Sequence, residues 1–257
     1  MKLPSPVADL RGKTALVTGA AQRTGRGIAA ALARAGADVV VHYGRSHDAA
    51  HTLVDEITAL GRRAWALPAD LGMPGAAEAL VHAALDRAGR LDVLVNNVGN
   101  YPLGDALHLS PDGFRATLET NLTAAYALIH TARDALATTH GSVIALGYAG
   151  VGHVVAHPRA MAYQISKTGL LVMVKSLAQA LGPHGIRVNM VSPGHISNSV
   201  DLPQDVADHV PLGRAVTVEE ICAAVLYLLS PAAAPITGAN LEVAGGYRLG
   251  IADRTGA

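Results

Sequence analysis

Short apolar runs rich in β-branched residues alternate along the chain with longer segments whose apolar positions recur at helical spacing. "KTALVT" leads into "GRGIAAALARAG", "DVVVHY" into "DAAHTLVDEITALG", "RAWALPAD" into "GAAEALVHAALDRAG", and "LDVLVNN" into a long helical stretch from Pro111 to about Ala137. "GSVIALG" then precedes a helix around Tyr163 to Leu181, "IRVNMVS" precedes a loop, and "TVEEICAAVLYLLS" precedes "ANLEVAGG". The reading is about seven strands separated by helices. Runs such as Ala15–Val17 and Val39–Val41 lack polar alternation, as do strands buried on both faces in a parallel sheet covered by helices. Right-handed crossovers between such strands predict an α/β, doubly wound Rossmann-type sheet with helices on both faces. No linker rich in Gly, Ser or Pro interrupts the 257 residues, so 1–257 read as a single domain. The least regular segment, 192–216, reads as a substrate loop, with a short surface helix and turns as the plain alternative.

Composition narrows the partners. Hydrophobic residues make up 50% and charged residues 16%, which argues against disorder. Twenty basic residues balance twenty acidic ones, leaving no basic field for nucleic acid or an anionic membrane. No apolar run approaches the roughly 18 residues of a membrane span, and "MKLPSPVADLRGK" lacks the apolar core of a signal peptide. The single cysteine, Cys222, excludes an internal disulfide and a multi-cysteine zinc site, and its apolar neighbours place it in a buried helix. The expectation is a soluble, cytoplasmic protein without a metal, whose partners are a small molecule and further copies of itself.

Candidate chemistry begins at the first strand, which ends in "TGAAQRTGRG". Glycines at a strand-to-helix turn let the backbone approach a pyrophosphate, and the helix that follows offers free N–H groups. Gly19 and Gly25 bound this turn, with Arg23 and Thr24 inside it. The second strand ends in "VVVHYGRS", with Arg45 and Ser46 where a carboxylate would select NAD. An arginine there accommodates the 2′-phosphate of NADP, and Arg23 adds a second guanidinium. A solvated turn is the plain alternative for Arg45. The expected cofactor is NADPH.

Tyr163 and Lys167 are four residues apart in a helical segment and so share one face. A neighbouring ammonium lowers a phenol's pKa from about 10, and the tyrosine then hands a proton to the atom that gains negative charge when hydride arrives.

The order of these motifs resembles the short-chain dehydrogenase/reductase family from about Leu10 to Gly246. Thr18, Gly19 and Gly25 match its T-G-x-x-x-G-x-G turn, with Arg23 in place of the middle glycine, as in the NADPH-dependent pteridine reductase branch. The resemblance implies that Asp70 and Leu71 lie beside the adenine. It implies that "NNVG", Asn96 to Gly99, shapes the cofactor pocket through Asn97 and Gly99, with Asn96 structural. Pro193, Gly194 and Ile196 would flank the nicotinamide, and Lys167, beside Tyr163, would hold its ribose. Asn121 would support a water-linked proton path to the lysine. Relatives associate as tetramers or dimers through the tyrosine helix and the one before it.

One position departs from the family. Most relatives carry a serine about a dozen residues before the tyrosine, bonded to the substrate carbonyl. Here Gly147 and Tyr148 occupy the place, and no Ser or Thr lies between Ser142 and Tyr163. Tyr148 is therefore expected as a substrate-orienting donor, with Tyr101, His153 and His195 as further substrate contacts and His157 on the same loop as His153. A carbonyl needs its oxygen polarised as charge develops, whereas an iminium already carries charge. The expected function is an NADPH-dependent oxidoreductase delivering hydride to a C=N bond (imine, iminium or pterin-like) or a C=O bond of a small cyclic molecule. A ketone or 3-oxoacyl reductase is the alternative within enzymes, and a non-catalytic NADPH-binding sensor the alternative outside them.

Overall fold

The computed structural model describes residues 4–199 and 202–248, and within them strands and helices alternate as the apolar pattern predicts. The strands are β1 (Thr14–Val17), β2 (Asp38–Tyr43), β3 (Ala64–Pro68), β4 (Val93–Asn96), β5 (Ser142–Leu146), β6 (Arg187–Pro193) and β7 (Asn240–Val243). The helices are α1 (Arg23–Arg34), α2 (His47–Ala59), α3 (Ala76–Ala88), α4 (Pro111–Leu118), α5 (Ala124–Thr139), α6 (Met161–Leu181), α7 (Val206–His209) and α8 (Val218–Leu229). All strand pairs are parallel, in the order β3-β2-β1-β4-β5-β6-β7. The order reverses between β1 and β4, where the crossovers leave β1 in opposite directions and open a crevice at the carboxyl ends of the strands.

Side-chain alternation sends the apolar residues of each strand to two separate cores. Ala15 and Val17 join Ile28, Leu32, Leu53, Ile221 and Val225 beneath α1, α2 and α8. Leu16, between them in sequence, points the other way and joins Leu80, Leu128, Ile129, Leu170 and Val174 beneath α3, α5 and α6. Each fully buried aliphatic side chain of this kind contributes about 1.5–3 kcal/mol. Helix α1 lies so close to α8 that a β-carbon on Gly27 would run into Val218. The start of α8 is fixed by a reciprocal cap, in which Glu220 N donates to Thr217 Oγ1 and Thr217 N donates to Glu220 Oε2. Cys222 is buried in α8, and desolvation pushes its thiol up to about 11, the inert state expected of it.

Two segments differ from the expectation. The helical stretch from Pro111 is not continuous: a π-turn at Glu119–Thr123 separates α4 from α5. The extra residue rotates Asn121 into the interior, where it is buried, and nothing in the apolar spacing marks it. In the segment 192–216, β6 continues through Pro193, α7 forms a single turn, and Ile196 makes a parallel bridge with Val216. Val210 then packs against Gly245, whose φ is +61° and on which a β-carbon would come within 2.7 Å of Val210 Cγ1. Val200 and Asp201 of the expected loop, and residues 1–3 and 249–257 of the expected domain, lie outside the described residues.

Candidate active site

The turn after β1 is held by bonds from strands distant in sequence. Thr18 Oγ1 accepts from the backbone N–H groups of Asn97 (2.9 Å) and Val98 (3.1 Å). Asn97 Nδ2 donates to the carbonyl oxygens of Thr18 (2.9 Å) and Gly19 (3.3 Å). Asn97 thus shapes the turn from below. A β-carbon on Gly25 would run into the Gly19 carbonyl oxygen and come within 2.6 Å of Asn97 Nδ2, so only glycine fits. Arg23 takes φ +48°, the left-handed region that the family pattern fills with glycine. That conformation costs an arginine about 1 kcal/mol, and its side chain is exposed beside Thr24.

His42, near the end of β2, is a residue that the motif reading missed. It is buried; its Nδ1 accepts from Gly19 N (3.0 Å) and its Nε2 donates to Ala69 O (3.0 Å), an assignment of the tautomer from its partners. Desolvation pushes its pKa down, so the ring is neutral. The only signal in the sequence is a polar residue inside the apolar run "VVVHY". Just beyond it, Arg45 is exposed and Ser46 half-buried. Among the described residues, neither Arg23 nor Arg45 enters an ion pair. Asp70 is exposed at the end of β3, its Oδ1 accepting from Gly72 N, and Leu71 is buried beneath it. A cradle that one β-carbon would fill, flanked by two uncommitted guanidinium groups, suits a dinucleotide with an additional phosphate.

On the other side of the crevice, α6 presents Tyr163, Ser166 and Lys167 on one face. Lys167 is buried, and its Nζ donates to Leu146 O (2.7 Å) at the end of β5. Desolvation lowers its pKa from 10.5 to about 8. A β-carbon on Gly99 would stand 3.1 Å from that Nζ, so the glycine is what lets the chain after β4 pass over the lysine. Asn121 Oδ1 accepts from Asn100 N (2.7 Å), while its Nδ2 donates to Asn100 O (2.9 Å) and Ser166 Oγ (3.1 Å). Ser166 Oγ in turn donates to Tyr163 O (2.7 Å). Ser166, also missed by the motif reading, joins the π-turn to the tyrosine's own backbone.

The expected effect of Lys167 on Tyr163 is reversed in this structure. Burial, together with the neighbouring phenols of Tyr101 and Tyr148, raises the Tyr163 pKa above its usual value. The ammonium stands 5.9 Å from the Tyr163 ring centre and is committed to the Leu146 carbonyl. Tyr163 is therefore a neutral phenol.

The absent serine has a packing explanation. A β-carbon on Gly147 would run into Ser192 Oγ and come within 2.7 Å of Met190 Sδ. Ser192 is not a displaced replacement, because its hydroxyl donates to Asn240 Oδ1 (2.6 Å). Tyr148 bears on a second expectation. Its ring lies 5.7 Å from that of Tyr163, but its hydroxyl is buried and makes no hydrogen bond. The Thr168 hydroxyl lies near enough to moderate the rise in its pKa that burial causes, without reaching bonding geometry. Tyr148 lines the cleft with its ring. Tyr101 is half-exposed and meets Tyr163 edge-on at 4.6 Å between ring centres.

A cleft of about 500 Å³ opens in front of these rings, lined by Tyr101, Tyr148, Tyr163, Pro193, Gly194, His195 and Ile196 among the expected residues. His153 is exposed and does not line it. His157 lines it instead, together with Arg159, Gln164, Ser199, Tyr247 and Arg248. A larger groove of about 870 Å³, between α1 and α8, contains none of the chemistry described above. Among the described residues no group of three or more His, Cys, Asp or Glu could hold a metal, and no helix is long and apolar enough to cross a membrane.

Comparison with known proteins agrees with this geometry. A family model described as enoyl-(acyl carrier protein) reductase matches residues 19–248. An L-rhamnose 1-dehydrogenase (NAD(P)(+)) of Sphingomonas sp. is 36% identical over 253 residues, covering 94% of this chain and 98% of that protein. A 3-oxoacyl-[acyl-carrier-protein] reductase of Synechocystis sp. is 33% identical over 241 residues, covering 92% of this chain and 97% of that protein. The crystal structure of the angucycline C-6 ketoreductase LanV with bound NADP superposes with a TM-score of 0.86 at 33% identity, covering 94% of this chain and 98% of that one.

Proposed function

From the premise that the chain belongs to the short-chain dehydrogenase/reductase family and is an oxidoreductase, we propose that it interconverts a carbonyl and a carbinol on a small molecule, using NADPH. The observation that carries this reading is the neutral Tyr163 phenol, held by burial at the wall of a cleft, on the same helix face as a buried lysine.

Gly19, Thr24, Gly25, Asn97 and Gly99 would receive the cofactor's backbone, and Asp70 and Leu71 its adenine. Lys167, Pro193, Gly194 and Ile196 would hold the nicotinamide end. Arg23, Arg45 and Ser46 favour the 2′-phosphate, because guanidinium forks match phosphate oxygens. When bound, this cofactor supplies or accepts the hydride. Tyr163 gives its proton to the carbonyl oxygen as charge builds there. Lys167 steadies the resulting phenolate, and the Asn121–Ser166 link keeps the Tyr163 backbone in register with the π-turn.

The preference for C=N expected from the missing serine is given up. It rested on the lack of a second donor, and Tyr101 lies beside Tyr163 at the cleft wall, where its phenol would share the substrate oxygen. The named relatives are a sugar dehydrogenase, a 3-oxoacyl reductase and a ketoreductase, which lends no support to imine or pterin reduction. Self-association through α5 and α6 belongs to the same reading, since Tyr126, Ile165 and Val172 leave an exposed apolar face there.

The test is a turnover screen of ketones, aldehydes, sugars and cyclic imines with NADPH and NADH, with Tyr163→Phe alongside. Carbonyl turnover that favours NADPH and disappears in the variant is the expected result. Tight NADPH binding without consumption across the screen would favour the sensor, and faster imine turnover would restore the C=N reading.

A further inference from the structure

The far wall of the cleft carries charge that the hydride chemistry does not use. Arg248 follows the turn after β7 with φ +58°, a left-handed conformation that is uncommon outside glycine and clusters at functional positions. Its side chain rests on Gly150, where a β-carbon would come within 3.1 Å of Arg248 Cβ. The guanidinium carbon lies 5.2 Å from the centre of the Tyr247 ring, and Nη1 donates to His157 Nε2 (3.1 Å). The group is thus placed by an aromatic face and an imidazole nitrogen, and most of its five donors remain for something else.

Among the described residues no carboxylate forms an ion pair with it. Among the described residues lining the cleft there is no Asp or Glu, while Arg159 adds a second guanidinium at the rim. Neither arginine forms an ion pair among the described residues. Glu242, on β7, is engaged elsewhere: its Oε1 accepts from Gly150 N (3.1 Å) and Asn240 Nδ2 (3.4 Å). Arg248 also reaches the Tyr148 phenol electrostatically: burial raises that pKa, the Arg248 charge opposes the rise and Glu242 adds to it, and the Tyr148 ring is 5.7 Å from that of Tyr163. A substrate held at Tyr163 therefore has a cationic group within the reach of its other end.

Resting on the reading of this cleft as the substrate site, we propose that the substrate carries an oxyanion, a carboxylate or a phosphate monoester, which Arg248 receives and Arg159 assists. A guanidinium meets either group through paired N–H donors, and in a half-buried wall such charge-assisted bonds outweigh their exposed counterparts. The neutral sugar in the name of the rhamnose dehydrogenase relative contains no such group, so this is a property of the present cleft.

The experiment measures kcat/KM with NADPH for a series of small ketones bearing a terminal carboxylate, each against its methyl ester, and a series bearing a terminal phosphate, each against the free alcohol. Wild-type enzyme, Arg248→Gln, Arg248→Lys and Arg159→Gln are compared at two ionic strengths. The expected result is an anion preference of about ten- to a hundredfold, expressed mainly in KM. It collapses in Arg248→Gln, is partly kept in Arg248→Lys and weakens with salt. The series that shows it distinguishes carboxylate from phosphate. Cofactor affinity and thermal midpoint, measured on each variant, separate a lost contact from a damaged fold. Ketones turned over with no anion preference, or a preference that survives Arg248→Gln in a folded variant, overturn the proposal while leaving the reductase reading intact. NADPH binding with no turnover of any member removes that reading and this one with it.

Discussion

Lys167 Nζ donates a 2.7 Å hydrogen bond to the carbonyl oxygen of Leu146, which ties the middle of the Tyr163 helix to the carboxyl end of a central strand. The bond does not compensate fully for burying the charge, because the pKa still falls from 10.5 to about 8. A lysine whose folded pKa is lowered binds fewer protons than the unfolded chain between those two values, so folding is penalised below that window and the penalty fades as pH rises through it. Lys167→Met removes the charge and leaves the Leu146 carbonyl unbonded. The net expectation is a gain of about 2 kcal/mol at neutral pH with loss of activity. Denaturant melts at neutral pH and near pH 10 check it: the gap between variant and wild type narrows at the higher pH.

The same pair sets a pH profile. Tyr163 is held protonated well beyond neutrality, so carbonyl reduction holds its rate from neutral pH until Lys167 loses its charge at about 8, and declines above that. Carbinol oxidation, which needs the phenol ionised, stays slow over the same range, because burial holds Tyr163 protonated past its ordinary value. A reductive rate that is flat to pH 10, or one that falls near pH 6, would contradict this assignment.

Arg23 and Arg45 bear on cofactor choice. Arg45→Ala is expected to raise the KM for NADPH by about tenfold while changing that for NADH little. Arg23→Gly relieves a left-handed arginine but loosens the unfolded chain. Its stability therefore moves by less than about 1 kcal/mol, while the NADPH preference drops. Steady-state kinetics with both cofactors read this, and an unchanged NADPH-to-NADH ratio in the double variant counts against the 2′-phosphate site.

Three substitutions test how the site works without a serine. Gly147→Ser should destabilise by about 1–3 kcal/mol without improving turnover, since Ser192 and Met190 fill the space. Tyr148→Phe removes a buried hydroxyl that has no partner and should raise stability by about 1 kcal/mol. Tyr101→Phe should lower kcat/KM by about tenfold. A larger catalytic loss in Tyr148→Phe than in Tyr101→Phe would return the orienting role to Tyr148.

His42 holds Gly19 only while its Nδ1 is unprotonated. Its folded pKa lies below the ordinary 6.5, so the unfolded state binds the extra proton first and stability is lost as pH falls below that value. His42→Ala is expected to weaken NADPH binding and to flatten the acid side of the stability curve. Fluorescence titration of NADPH against pH distinguishes this from general destabilisation, because the wild-type affinity should fall with acidification and the variant's should not.

The alternation of buried strands and amphipathic helices, the turn glycines Gly19 and Gly25, and the pair Tyr163 and Lys167 were legible without coordinates. Each is local: strand period, turn conformation and helix spacing act over a few residues, so the sequence carries them directly. His42, Ser166 and Arg248 were not legible, because their partners lie 23, 45 and 91 residues away. Apolar spacing continues across the π-turn that buries Asn121, and so conceals it. The sign of the Tyr163 shift was also beyond the sequence, because spacing gives proximity to Lys167 but not the burial that outweighs it. On its own, then, the sequence determined the sheet, the glycine turn after its first strand and the shared helix face of Lys167 and Tyr163, the proposed proton donor. Only the tertiary structure decided which polar groups surround that donor, because long-range packing, rather than local spacing, sets desolvation and the choice of hydrogen-bond partners.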